Sequence, residues 1–275
     1  MSRKTSTNWD PGTYNRFRDF RLRPALDLLA ALGPLPQAEV QGPEQRAGTV
    51  LDLGCGSGNA APALKSRFPT AMLLGLDSSA RMLEGARTTG CYDALHEGDI
   101  ASWTPDRTFS VIFSNAALNW LPDHARLLPA LVQWLRPGGV LAVQVPDQAQ
   151  APSHQLWHQL SESLWPERFD WSGEVPHVLA PEDYVSILSP LGDLSLWRSE
   201  YFQILPPEGA AHPVRRFTQS TFARPVLEAL NAAEQAQICA GYDAAVGAEY
   251  PLRADGSVLF PFRRLFFTLT RPAPV

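Results

Sequence analysis

Short aliphatic and β-branched runs recur along the first half of the chain, each closed by glycine or an acid and followed by helical spacing. Thr49-Val50-Leu51-Asp52-Leu53 ends at a cluster of glycines, and residues 59–68 have the composition of a helix behind it. Ala71 to Asp77 repeats the scheme, with Ser78 or Ser79 placed to cap a helix over 80–88. Residues 109–114 and 139–145 are two further apolar runs, separated by a helical stretch from His124 to Leu135. Apolar runs alternating with helices predict a parallel sheet buried on both faces, in a doubly wound α/β domain. Upstream, Pro24 to Leu32 predicts a helix opened by its proline and closed before Gly33. After Pro146 the pattern changes. Residues 153–165 and 213–248 look helical, and the remaining strand candidates are 194–204 and 258–270. The expected organisation is a core over 1–146, a helical cap over 147–193 and 206–248, and last strands at 194–205 and 258–271 that complete the core sheet.

Composition narrows the function. The 275 residues are 45% hydrophobic and carry a net charge of -5, so no electrostatic footprint for nucleic acid is expected. Three cysteines without CxxC spacing indicate neither a disulfide framework nor a metal site. No run approaches the roughly 18 apolar residues of a membrane span, and the N-terminus is polar, so a cytoplasmic protein without membrane partners is expected. The 25 prolines are scattered as punctuation between elements.

The chemistry concentrates at the strand ends. Gly54, Gly56 and Gly58 let the backbone turn sharply and approach a ligand, while the helix behind them directs N–H groups at an anionic tail. Asp52 is placed to take an ammonium group. Asp77 closes the second strand, where a carboxylate accepts two ribose hydroxyls, and Asp99 in Gly98-Asp99-Ile100 follows the third, at a place suited to an adenine amino group. A dinucleotide fingerprint requires glycine at position 59, which is asparagine, and no triphosphate-binding loop is present.

These segments, with Leu135-Arg136-Pro137-Gly138-Gly139, resemble the successive motifs of class I methyltransferases. The whole chain resembles the trans-aconitate 2-methyltransferases, through Trp9-Asp10-Pro11 with Tyr14, Arg23-Pro24-Ala25, Asn115-Ala116-Ala117-Leu118, Trp120-Leu121-Pro122-Asp123-His124, Trp197-Arg198, Glu249-Tyr250-Pro251-Leu252 and Arg264-Leu265-Phe266. The resemblance implies a seven-stranded Rossmann-like sheet, S-adenosyl-L-methionine (SAM) as methyl donor with S-adenosyl-L-homocysteine as product, and esterification of a small polycarboxylic acid. It also implies an N-terminal lid over the cofactor. The expected cofactor set is Arg23, Asp52, Gly54, Cys55, Gly56, Gly58, Asp77, Ser78, Met82, Asp99, Ile100 and Asn115.

A carboxylate is already an anionic nucleophile at pH 7, so no catalytic base is expected. The other carboxylates of the acceptor call for arginine forks. Arg264 is the first candidate, the alternative being an outward-facing residue on an edge strand. Arg198 is the second, or else a solvated neighbour of Glu200. Trp9, Tyr14 and Trp120 complete the expected acceptor set, with core packing as the alternative for each. Asn115-Ala116-Ala117-Leu118 lacks the prolines of base-methylating enzymes. His154 and His158 have the i,i+4 spacing of a metal pair, but a polar helix face is the expectation. Two further readings stay open: another free acid or a malonyl group on an acyl carrier as acceptor, and a SAM-binding regulator without turnover.

Overall fold

The computed structural model describes residues 18–33, 48–169 and 177–273; Trp9, Tyr14 and the expected lid lie outside the described residues. α1 (Arg18–Ala30) comes first, followed by β1 (Thr49–Leu53), α2 (Ala61–Arg67), β2 (Met72–Asp77), α3 (Ala80–Thr88), β3 (Ala94–Glu97), β4 (Phe109–Asn115), α4 (His124–Trp134) and β5 (Leu135–Pro146). β1 pairs in parallel with β2 and β4, β2 with β3, and β4 with β5. Val50, Leu51, Leu53, Leu76, Ile112, Phe113 and Leu141 are buried on these strands, as a sheet covered on both faces requires.

Downstream come α5 (Pro152–Leu164), α6 (Pro181–Leu188), β6 (Asp193–Leu205), α7 (Pro213–Gln219), α8 (Arg224–Glu228), α9 (Ala232–Glu249) and β7 (Val258–Thr270). The seven-stranded order is β3-β2-β1-β4-β5-β7-β6. β7 runs antiparallel to β5, because Gly138 N–H donates to the Arg271 carbonyl at 2.9 Å and Asp147 N–H to that of Arg263 at 3.0 Å. The order reverses between β1 and β4, the switch point where open α/β sheets bind ligands.

Four expectations change. α1 begins at Arg18 and carries Pro24 inside it, so the proline does not open the helix. One lost backbone bond is tolerated where Ala25, Leu28 and Leu29 are buried. β5 begins at Leu135, earlier than its apolar run, because an irregular register pairs Leu135 with Phe109 before Val140 meets Val111. Residues 213–248 form three helices, the last restarted by a capping box between Asn231 and Glu234. α6 was hidden in the polar string Pro181-Glu182-Asp183.

The chain divides into two compact units, one of residues 1–145, 179–198 and 265–275, the other of 146–178 and 199–264. α6 thus groups with the core, and the halves of β6 and β7 with the helical segments, which differs from the cap boundaries of 147–193 and 206–248. In the second unit Trp157 stacks on Tyr242 at 4.2 Å and donates its indole N–H to Thr218 Oγ1 at 3.1 Å. Tyr242 donates to the Ser153 carbonyl at 2.8 Å. His154 and His158 do not form a polar face: His154 lies tilted against the Phe222 ring at 4.3 Å and His158 stacks on it at 5.4 Å, and burial pushes His154 down to about 3.

Candidate functional site

The three glycines of the loop after β1 all have positive φ, +74° at Gly54, +54° at Gly56 and +78° at Gly58. Their surroundings differ. A Cβ on Gly54 would lie 2.2 Å from the Ala117 Cβ and 3.6 Å from Ile100 Cδ1, so the loop after β4 and the residue after β3 both press on this point. A Cβ on Gly58 would meet Thr89, Tyr92 and Ala86 at 2.9 to 3.2 Å. A Cβ on Gly56 meets no atom within 4 Å. Gly54 and Gly58 therefore make room for the protein itself, and Gly56 alone leaves the backbone open to a ligand.

Asp77 ties the loop down. Its two carboxylate oxygens accept from Gly56 N–H at 2.8 Å and Ser79 N–H at 2.9 Å. Burial raises its pKa and these backbone bonds oppose the rise. Ser79, not Ser78, caps α3, accepting from Met82 N–H at 3.3 Å; Ser78 is exposed and the Met82 side chain is buried. Asp52 is 3% exposed, and burial pushes its carboxyl up to about 7, with Asp77 adding to the rise. Tyr92 donates to Asp52 Oδ2 at 2.6 Å. Burial and the charge of Asp52 hold the Cys55 thiol in its protonated form, in keeping with a packing role.

The loop after β4 is shaped as closely. Ala116 adopts φ +54°, rare for a residue with a side chain, and its N–H donates to the Gln144 carbonyl at 2.8 Å. Asn119 links the turn: its amide donates to the Ala116 carbonyl at 3.1 Å and accepts from Trp120 Nε1 at 3.2 Å. His124 secures the same turn. Its Nε2 lies 2.9 Å from the Leu118 carbonyl, an acceptor only, so the proton sits on Nε2 and Nδ1 accepts from Tyr184 Oη at 2.9 Å. Trp120 is half-buried, between wall and core.

The structure therefore brings together Asp52, Gly54, Cys55, Gly56, Gly58, Asp77, Ile100 and, through Ala116 and Ala117, Asn115. Two buried polar atoms here, Ser57 Oγ and Asn115 Oδ1, have no partner among the described residues. Asp99 is exposed, and its Oδ1 accepts from Ala101 N–H at 2.9 Å. Arg23 is 70% exposed and paired with Asp27 one turn on, at 2.8 Å, a solvated position on α1. Arg198 is exposed on the face of β6 that also carries Glu200. Arg264 is not an outward-facing edge residue: it is 4% exposed on β7, with its guanidinium 4.3 Å from the Phe262 ring centre.

Tyr92, Ser57, Ala117 and the His124–Tyr184 pair were not among the residues expected to shape the site. The one signal for Tyr92 was Gly75, a glycine inside an aliphatic central strand, which marks a close approach by another group. A Cβ at Gly75 would lie 3.0 Å from the Tyr92 ring.

A glycine loop held by the carboxylate of the next strand, at the switch point of a 3-2-1-4-5-7-6 sheet, defines an α/β methyltransferase, and a methyltransferase-domain family model matches residues 14–184. A trans-aconitate 2-methyltransferase of Azoarcus sp. (strain BH72) is 40% identical over 96% of this chain and 99% of its own. One of Streptomyces coelicolor is 39% identical over 98% and 88%, and one of Escherichia coli 36% over 96% and 99%. The chain belongs to the trans-aconitate 2-methyltransferase family. Among solved structures, the YcgJ protein from Bacillus subtilis has a TM-score of 0.53 at 17% identity, over 84% of this chain and 95% of that one. Phosphoethanolamine N-methyltransferase 2 of Haemonchus contortus, in complex with S-adenosyl-L-methionine, has a TM-score of 0.52 at 16% identity, over 91% and 52%. Both likenesses concern the fold. Family membership makes the protein a SAM-dependent methyltransferase. Among the described residues no helix is long and apolar enough to cross a membrane.

Proposed function

We propose that this protein esterifies a carboxylate of trans-aconitate with the methyl group of SAM. The observation that carries the cofactor half is the contrast within the glycine loop: Gly56 is open where Gly54 and Gly58 are filled. Ser57 Oγ and Asn115 Oδ1, without a partner among the described residues, fit the same ligand, since a buried polar atom without a partner costs about 1–3 kcal/mol unless something bonds to it. In this reading the Gly56 backbone and the start of α2 receive the tail carboxylate, Asp52 the ammonium, Asp77 the ribose and Asp99 the adenine. Met82 and Ile100 supply apolar contact. The acceptor half rests on near full-length relatives that carry the name trans-aconitate 2-methyltransferase.

When bound, the cofactor supplies an electrophilic methyl group, which a carboxylate oxygen takes by in-line displacement while the bonding pair stays with sulfur. The protein's part is orientation and exclusion of water. We assign Arg264 to a second carboxylate of the acceptor, because it is a buried cation on β7 and its guanidinium offers a planar fork suited to a carboxylate. Trp120 is assigned to the acceptor wall.

Labelled SAM offered with trans-aconitate, cis-aconitate, citrate, isocitrate and malonyl-acyl carrier protein tests the assignment. Methyl ester is expected on trans-aconitate foremost. Transfer confined to the carrier substrate overturns the acceptor, and cofactor binding without transfer to any acid overturns the enzyme.

A further inference from the structure

Tyr92 belongs to no motif, yet three elements are built around its ring. Its Cε2 lies 3.1 Å from the position of a Cβ on Gly58, and its Cε1 3.0 Å from that of a Cβ on Gly75. Its hydroxyl donates to Asp52 Oδ2 at 2.6 Å. Any larger residue at 58 or 75 would push into the ring and move the hydroxyl off Asp52. Building on the reading that Asp52 meets the cofactor's ammonium, we propose that Tyr92 is a positioning residue that holds Asp52 ionised and aimed for that ammonium.

The choice of a phenol has a chemical logic. A lysine or arginine in its place would neutralise Asp52 and compete with the cationic ligand. A phenol gives one hydrogen bond, to one oxygen, and leaves Oδ1 without a bond from any described residue. The donor is dependable, since burial and the Asp52 charge raise the Tyr92 pKa and keep the hydroxyl protonated. It is also needed. Burial and the charge of Asp77 raise the Asp52 pKa and the Tyr92 bond acts against both, leaving it at about 7. Around Asp52 the titratable groups among the described residues are Tyr92 ahead of β3, Asp77 at the end of β2 and Cys55 in the loop, none of them a cation. Without the phenol, the carboxyl would hold its proton at neutral pH and meet the ammonium uncharged.

Cofactor affinity measured by calorimetry from pH 6 to 9 tests the proposal without turnover. Wild-type affinity is expected to rise with pH and level off above about 7. Tyr92→Phe keeps the ring between Gly58 and Gly75 and should move that rise about one unit upward, so that binding is about fivefold weaker at pH 7 and close to wild type at pH 9. Tyrosine fluorinated meta to its hydroxyl, placed at 92, makes the phenol a stronger donor and should move the rise downward; this arm holds even if Tyr92→Phe fails to fold. Asp52→Asn should bind weakly at every pH. A Tyr92→Phe loss that is equal at all pH values makes Tyr92 a packing residue and overturns the proposal, as does no displacement by the fluorinated residue. A wild-type protein that binds SAM with no pH dependence overturns the role of Asp52 while the cofactor assignment stands. No binding by the wild type overturns both.

Discussion

At the ends of β1, β2 and β4, buried polar groups are held in place with bonding capacity left over. Asp52 bonds to Tyr92 through one oxygen, and Ser57 Oγ and Asn115 Oδ1 have no partner among the described residues. In the helical unit the same residue types close on one another. Trp157 donates to Thr218, Tyr242 to the Ser153 carbonyl, and His212 bonds the Tyr250 carbonyl at 3.0 Å, while Gln203 Oε1 is among the atoms there that these bonds do not reach. Unmet polar groups cost stability and are kept where a ligand meets them; met ones contribute to stability. Substitutions at the strand ends should therefore act on binding, and those inside the helical unit on folding.

The largest expected effect lies on the folding side. Trp157 is fully buried, stacked on Tyr242, and bonded to Thr218 Oγ1. Trp157→Ala should lower stability by about 3–5 kcal/mol, in the range for deleting a large buried aromatic. Urea unfolding of the cofactor-free protein checks this. A smaller loss of stability joined to a specific loss of SAM affinity would break the comparison.

Asp52→Asn sharpens it from the other side, because the same substitution should stabilise the fold and weaken binding. The folded state holds the Asp52 proton up to about 7, whereas the ordinary value is 3.8. Between those values the folded chain binds more protons than the unfolded one, so this group's contribution to stability falls as pH rises from about 4 to 7. Asparagine still accepts from Tyr92 and has no charge to desolvate. The variant should melt several degrees higher than wild type at pH 8, within an upper bound of roughly 4 kcal/mol, and no higher at pH 4. A lower melting temperature at pH 8 would mean that the Asp52 charge supports the fold.

The same contrast explains how much was legible in the sequence. Asp52, Gly56 and Asp77 were readable because a tight turn and two strand ends are local features, set by a few adjacent residues. Gly54 and Gly58 were readable as glycines but not for their reason: Ala117 and Tyr92 come from elsewhere in the chain to fill the space beside them. Arg23 shows the reverse. It sits in a matching segment, yet its partner is Asp27 four residues on. Among the arginines of the last strands, Arg264 was the first candidate and Arg198 the weaker second, and the burial along β6 and β7 separates the exposed from the buried one. In the cap, His154 and His158 looked polar because Phe222, which both rings meet, is more than sixty residues away.

Arg264 carries the comparison to the acceptor. Arg264→Met keeps much of the side-chain volume against Phe262 and removes the fork. It should lower kcat/KM for trans-aconitate by roughly 2–4 kcal/mol, with SAM affinity little changed. Steady-state kinetics beside calorimetry decide. Equal loss of SAM and acceptor binding, or an unfolded variant, would make Arg264 structural and return the acceptor's carboxylates to Arg198 or backbone groups.

The smallest expected effect is an absence of slope. With both substrates saturating, the rate of methyl transfer should stay level from pH 7 to about 9, since the acceptor's carboxylates are ionised throughout. Neither the site nor the helical unit gives a reason for a change: the Tyr92 and Cys55 pKa values are raised, and burial lowers those of His154 and His212. With SAM below saturation the profile should differ. There the rate should fall below pH 7, because Asp52, pushed up to about 7, takes a proton and loses its attraction for the ammonium. Lowering the pH would then act on kcat/KM for SAM and leave kcat untouched, which is the strand-end pattern of acting on binding. A rise in kcat between pH 7 and 9 would instead require a group that gives up a proton during the transfer. That outcome would point to an alcohol or amine as acceptor in place of a carboxylate.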